Sequence, residues 1–295
     1  MPENDKFGIG KIVISADANQ GVYCVRKESI VAKRSEEEKK LLNEVLPNVA
    51  AQMRAPLSVL HAGLQKLLQD DAPGAAQLNQ SYYQLLRLAG NLSAAELLDG
   101  EPYLSERSNG DIVALCSDLS SRLTLLAKEE GIRFSFVCTQ KSHVILYDKR
   151  LIERLVLNLV SNAIKFTPAG GTVTLTVQIQ ERDVLLSVAD TGCGISEDKM
   201  DTVFDRYLHS ERMDPMPHGL GLGLPLCRAI AEAHGGRIFA ESQVGMGTRI
   251  TVALPNEQSP IHRINDVAFD YAGGFDHVLV ELSDALSSAA YQKNK

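Results

Sequence analysis

From Leu42 to Leu67 an apolar side chain returns every third or fourth position, at Leu42, Val45, Val49, Met53, Leu57, Leu60, Leu64 and Leu67. That spacing prescribes one long helix with a single apolar face. After a break at Asp70-Asp-Ala-Pro-Gly74 a second helical stretch sets Leu78, Tyr82, Leu85, Ala89 and Leu92 on one face and ends near Gly100. Two such helices joined by a short loop form a hairpin, and no other segment of the chain offers an apolar stripe of comparable length. The economical cover is a second copy of the same hairpin, which gives an intermolecular four-helix bundle. A helical dimerisation unit is therefore expected over residues 35–103, with a homodimer formed through residues 40–100.

The rest of the 295 residues has room for one further domain of ordinary size. Residues 1–34 contain two short apolar runs, Lys11–Ser15 and Gly21–Val25, about Asp17-Ala-Asn-Gln-Gly21, and read as a possible hairpin. With 30 Lys+Arg against 37 Asp+Glu and no basic block, nucleic acid and anionic membrane surfaces are not the expected partners. Five cysteines without a C-x-x-C pair suit reduced thiols and a cytoplasmic setting. No run of about 20 apolar residues offers a membrane span, and Glu3, Asn4 and Asp5 do not suit a signal peptide.

Between residues 104 and 255 the periodicity alternates. Helices are expected at about 111–129, 149–166 and 221–234, with antiparallel-looking strands near 133–140, 143–148, 172–180, 183–189, 237–242 and 248–254. This is the pattern of a two-layer α/β sandwich. Residues 256–295 are a polar link followed by a short amphipathic helix within 276–290, expected to dock on the body. The fold class is α+β: a two-helix dimerising hairpin followed by the sandwich.

Three segments of the sandwich carry chemistry. In Asn158-Leu-Val-Ser-Asn162-Ala-Ile-Lys165 the i,i+4 spacing places both amides on one helix face with an ammonium beside them, a set able to meet Mg²⁺, its waters and phosphate. Taken alone, two such asparagines more often form a solvated or capping face. In Asp190-Thr-Gly192-Cys-Gly194 a carboxylate leaves a strand beside glycines that let the backbone pass close to a flat base, although such a segment is also a common turn. Gly219-Leu220-Gly221-Leu222-Gly223 opens an apolar-periodic helix with Pro225 in its first turn, and glycines there leave N–H groups free for phosphate.

In this order and spacing the three segments resemble the asparagine box and two glycine boxes of the sensor histidine kinases, within the ATPase superfamily of gyrase, the heat-shock-90 chaperones and the MutL repair proteins. Phe204, His234-Gly-Gly236 and Ser242-x-x-Gly245-x-Gly247-Thr248 extend the likeness over about 105–255, and the hairpin extends it to about 40–255. The resemblance implies ATP and Mg²⁺ as ligands. It gives Asp190 the adenine amine, helped by Thr248, makes Asn162 the principal Mg²⁺ ligand with Asn158 in support, and sets Lys165 on phosphate. Gly219, Gly221 and Gly223 would line the triphosphate, and residues 205–218 would be a lid offering Arg206 and Arg212. His234 is expected to be a structural helix-end residue.

The hairpin departs from the same family at the point of chemistry. Its phosphoacceptor signature has the form H-E-x-R-T-P-L, and here the stretch is Ala51-Gln52-Met-Arg54-Ala55-Pro56-Leu57. Arg54, Pro56 and Leu57 hold the register, so the acceptor position is Ala51. A methyl group has no lone pair to attack a phosphoryl group, and Gln52 cannot replace a carboxylate base. His61 falls near the buried stripe rather than on the exposed face. The expectation is a two-component signalling protein that binds Mg-ATP and dimerises without autophosphorylating, with a response regulator or another kinase as partner. The alternatives are an active kinase acting on a partner protein and a structural dimer with vestigial nucleotide binding.

Overall fold

The computed structural model describes residues 12–17, 22–27, 46–70, 72–94, 106–205, 221–260 and 275–292. Strands β1 (Ile12–Asp17) and β2 (Val22–Lys27) pair antiparallel. They precede the helical hairpin of α1 (Leu46–Gln69) and α2 (Ala75–Ser93), where Gly74 turns the chain at φ 82°. The sandwich then runs β3 (Ser108–Asp111), α3 (Ile112–Glu129), β4 (Arg133–Cys138), β5 (Val144–Tyr147), α4 (Lys149–Phe166), β6 (Thr172–Ile179) and β7 (Asp183–Asp190). It continues through the single turn α5 (Glu197–Met200), α6 (Gly223–Ala233), β8 (Arg237–Gln243) and β9 (Gly247–Pro255).

The main sheet has the order β1-β2-β8-β9-β7-β6-β4, and β3 pairs separately with β5. Its neighbours are antiparallel except β4 and β6, which run parallel, because β5 and α4 intervene and return the chain by a crossover. Strand β3 lies in a polar stretch with no alternation to announce it. Along β6, Val173, Leu175 and Val177 are buried while Thr172, Thr174 and Thr176 are half-exposed, so one face only meets the helices. That face shares one core with Ile152, Leu155, Val156 and Leu159 of α4 and with Leu226 and Ile230 of α6. Asp111 and Asp148 cap α3 and α4, each accepting two backbone N–H bonds within 3.3 Å.

The C-terminal segment is shorter in helix than its pattern suggests. It forms one turn, α7 (His277–Glu281), capped by Asp276, and a 3-10 turn at Ser288–Tyr291. It wedges between α2 and α4, burying Val278, Leu282, Leu286 and Tyr291. Three amides of α2 hold its backbone: Asn79 donates to the Tyr291 carbonyl at 2.9 Å, Gln80 to Leu286 at 2.7 Å and Gln84 to Ser283 at 3.2 Å. Glu281, 1% exposed, lies between two arginines, with Oε1 3.0 Å from Arg154 Nε and Oε2 3.6 Å from Arg87 Nε. Neither Nε is aligned for a hydrogen bond, so the attraction is between charges. Arg154 also donates to Asn91 Oδ1 at 2.9 Å, passing over Gly90.

The stripe that defines the hairpin therefore divides. Leu57, Tyr82 and Ala89 are buried within this chain, but Leu60, Leu78 and Leu85 remain 56%, 52% and 42% exposed, with Val59 beside them at 74%. His61 stacks on Tyr82 with ring centroids 5.1 Å apart and meets Phe275 edge-on at 4.7 Å, a packed histidine held below its usual pKa by burial. Removing Glu281 leaves the buried Arg154 guanidinium without a carboxylate and Arg87 with Asp284 alone. Glu281→Ala should therefore lower stability by about 3–5 kcal/mol, and Glu281→Gln by less, as read from urea unfolding midpoints.

Candidate nucleotide site

Helix α4, the end of β7, the start of α6 and the start of β9 enclose a cavity of about 480 Å³. Asn162, Lys165, Asp190, Gly194, Gly221, Leu222, Gly223 and Thr248 line it, among apolar walls from Leu159, Val188 and Ile250. One carboxylate oxygen of Asp190, Oδ1, accepts from Gly192 N at 2.8 Å and Thr248 N at 3.2 Å. The other oxygen has no hydrogen-bond partner among the described residues, which leaves a fixed acceptor at the cavity wall. Burial raises the Asp190 carboxyl above the ordinary aspartate range, and the two N–H bonds offset part of that rise. Thr248 is itself held by Ser242, whose hydroxyl lies 2.9 Å from its own.

The glycines of this region serve first to bring backbone against backbone. A Cβ on Gly192 would overlap the Phe166 carbonyl oxygen, one on Gly194 the Gln243 carbonyl, and one on Gly247 the Asp190 carbonyl. Only Gly194 of these lines the cavity. At Gly223 a Cβ would stand 3.2 Å from Asn158 Oδ1, so glycine lets the start of α6 pass close over α4. Gly219, Leu220 and Arg206, with Arg212 and the rest of 206–220, lie outside the described residues.

The two asparagines do not share one environment. Asn162 reaches the cavity, whereas Asn158 is fully buried and does not line it. The Asn158 amide nitrogen donates to the Arg154 carbonyl and to Glu281 Oε2, both at 3.0 Å, and its oxygen accepts from Arg87 Nη2 at 3.2 Å. Arg87 and Glu281 come from 71 and 123 residues away, and nothing in the local spacing announces them. Arg87, Asn91 and Asp284 also line the cavity, and sequence reasoning missed all three, since they belong to no motif. His234 ends α6 with Nδ1 donating to the Ile230 carbonyl at 2.7 Å and Nε2 accepting from Asp148 N at 3.0 Å. That tautomer is neutral, burial lowers its pKa, and its role is structural.

Of the hairpin positions read against the phosphoacceptor signature, residues 51–57 are helical and Gln52 is exposed. The side chains of Ala51, Arg54 and Ala55 lie outside the described residues. No group of three or more His, Cys, Asp or Glu suited to a metal occurs among the described residues, and no helix among them is long and apolar enough to cross a membrane.

Residues 147–258 match the family described as histidine kinase-, DNA gyrase B-, and HSP90-like ATPase. The sensor histidine kinase WalK of Bacillus subtilis is 31% identical over 225 residues, covering 73% of this chain and 37% of that protein. Residues 147–258 are a histidine kinase-type ATPase domain, and the similarity to sensor histidine kinases extends beyond it. The histidine protein kinase DivJ of Caulobacter vibrioides is also 31% identical, over 73% of this chain and 38% of its own length. The chain thus spans little more than a third of either relative. The crystal structure of full-length ShkA in complex with AMPPNP shares the fold, with TM-score 0.61 and 24% identity over 75% of this chain and 47% of that one.

Gly247 stands at φ 104° with its α-carbon against the strand end that carries Asp190. Gly247→Ala adds a left-handed penalty of about 1–2 kcal/mol and forces β9 away from β7. The expected outcome is a melting temperature lowered by several degrees, measured by circular dichroism.

Proposed function

We propose that this histidine kinase-like protein binds Mg-ATP in the cavity between α4 and α6 and signals as a dimer within a two-component system, without phosphorylating itself. The observation that carries the reading is the Asp190 carboxylate, pinned by two N–H donors through one oxygen while its other oxygen has no hydrogen-bond partner among the described residues. Such an acceptor in a partly desolvated, apolar-walled cavity suits the exocyclic amine of adenine. Asn162 and Lys165 line the same cavity and fit a divalent cation and phosphate oxygens respectively. Gly221 and Gly223 at the start of α6 suit the polyphosphate. Asn158 acts at one remove, since its amide is engaged with Arg87, Arg154 and Glu281.

The missing autophosphorylation follows from Ala51 and Gln52, which supply neither nucleophile nor base. Purified protein incubated with γ-labelled ATP should carry no acid-labile label. Label mapped to His61 would overturn this, as would phosphohistidine at any other site. The proposed homodimer rests on Val59, Leu60, Leu67, Leu78 and Leu85, large apolar side chains left exposed on the hairpin. A response regulator or another kinase is the partner this reading calls for, and a cytoplasmic setting belongs with it. Leu60→Glu with Leu78→Glu should convert a dimer to a monomer in sedimentation while nucleotide binding is retained.

The adenine assignment is tested by titration calorimetry. Asp190→Asn should weaken ATP binding by about 1–3 kcal/mol, because the amine loses its acceptor inside a pocket where water cannot replace it. A carboxylate must be ionised to accept that bond, and the Asp190 carboxyl titrates above the ordinary aspartate range. Affinity of the parent protein should therefore fall on acidification, beginning at a higher pH than an ordinary aspartate would give. In Asp190→Asn that part of the pH dependence should be absent.

A further inference from the structure

The cavity has a second wall that no kinase motif supplies. Arg87 of α2 and Asp284, three residues beyond α7, both line it, and Lys165 of the asparagine segment lines the same cavity. Arg87 Nη1 donates to Asp284 Oδ2 at 2.9 Å, with side chains 8% and 17% exposed. Lys165 has no ion-pair partner among the described residues. Burial holds its ammonium below the usual lysine value, the Asp284 carboxylate opposes that shift and Arg87 adds to it. A single carboxylate therefore stands in the field of two cations in the lining of the cavity that also carries the adenine-type acceptor.

We propose that Arg87 is a polyphosphate-binding residue of the nucleotide site, held in reserve by Asp284, which a terminal phosphate displaces. The proposal rests on the nucleotide reading above and extends it to residues of the hairpin and the C-terminal segment. A terminal phosphate carries more negative charge than a carboxylate and presents several acceptor oxygens, so it competes well for a guanidinium. Asp284, already partly exposed, regains water when released. Arg87 keeps Glu281 as a neighbour throughout, so its charge is never left uncompensated.

The exchange requires a side-chain rotation and no unfolding of the segment. Leu282 and Leu286, on either side of Asp284, are fully or almost fully buried, and Gln84 holds the adjacent Ser283 carbonyl. It also bears on Asn158, whose oxygen accepts from the same guanidinium through Nη2. A shift of Arg87 toward phosphate loosens that bond. Nucleotide with a full polyphosphate would thus be sensed by the hairpin directly, through α2, whereas adenosine would leave the Arg87–Asp284 pair intact.

The test compares ATP and adenosine binding by calorimetry in the full chain, with Asp284→Asn as the main variant. Removing the competing charge should tighten ATP roughly two- to fivefold, the scale of a partly exposed ion pair, and leave adenosine unchanged. Arg87→Lys, which keeps the charge beside Glu281 but loses the fork, should weaken ATP and spare adenosine, with melting temperatures showing that both variants fold. Unchanged ATP affinity in Asp284→Asn overturns the proposal, and weakened affinity overturns it in favour of Asp284 as a cation ligand. If parent and variants bind neither ligand, the nucleotide reading itself fails and this inference falls with it. If the parent binds both and only the Asp284 effect is missing, the nucleotide reading stands alone.

Discussion

Two arginines and two carboxylates, nearly out of water, hold three remote parts of the chain in one place. Arg87 comes from the hairpin, Arg154 from the helix that carries the asparagines, and Glu281 and Asp284 from the C-terminal segment. Buried charges are tolerated only when they are paired and hydrogen-bonded, so each of these segments constrains the other two. Asn158 completes the arrangement by accepting from one arginine and donating to Glu281. A polar cluster of this kind adds little net stability over an apolar core of the same shape. Its effect is on geometry, since the apolar contacts of Val278 or Tyr291 would tolerate a small slide and the ion pairs would not.

The same economy governs the nucleotide site. Asp190 is aimed by two backbone N–H groups, and those groups arrive where they do because glycines at 192 and 247 let strands and loops touch. The glycines thus act on the carboxylate's position before they act on any ligand. Asn162 and Asn158, four residues apart on one helix, are separated in role by what packs against them: cavity for the first, Arg87 and Glu281 for the second.

The sandwich was largely legible because its signals are local. The bounds of α4 at Lys149 and Phe166 follow from the Asp148 cap and the apolar period, and Asp190, Asn162 and Lys165, singled out in local motifs, line one cavity with Thr248, which only the family resemblance pointed to. What escaped depended on partners far away in sequence. Strand β3 exists because β5 pairs with it, not because Ser108–Asp111 prefers extension. The parallel β4–β6 pairing is a property of the crossover, and Arg87, Asn91 and Asp284 became site residues only when the C-terminal segment was placed. The stripe on the hairpin was read correctly as apolar but its occupants were misjudged: Tyr82 and Ala89 turn inward against this chain while Leu78 and Leu85 stay outside.

Docking of the C-terminal segment also orders events in time. The bonds from Asn79, Gln80 and Gln84 to that segment join residues 212, 206 and 199 positions apart, and closing such long loops is slow. Apart from the β2–β8 pairing, which is as long in range, the ATPase sandwich draws on contacts of shorter range and can collapse first during synthesis. Until residues 276–291 have left the ribosome, the inner face of α2 lacks the carboxylates that neutralise Arg87 and the side chains that cover Tyr83. A nascent chain at that stage offers a nearly finished catalytic-type domain beside an incompletely seated hairpin, and assembly of the two is a late step in its maturation.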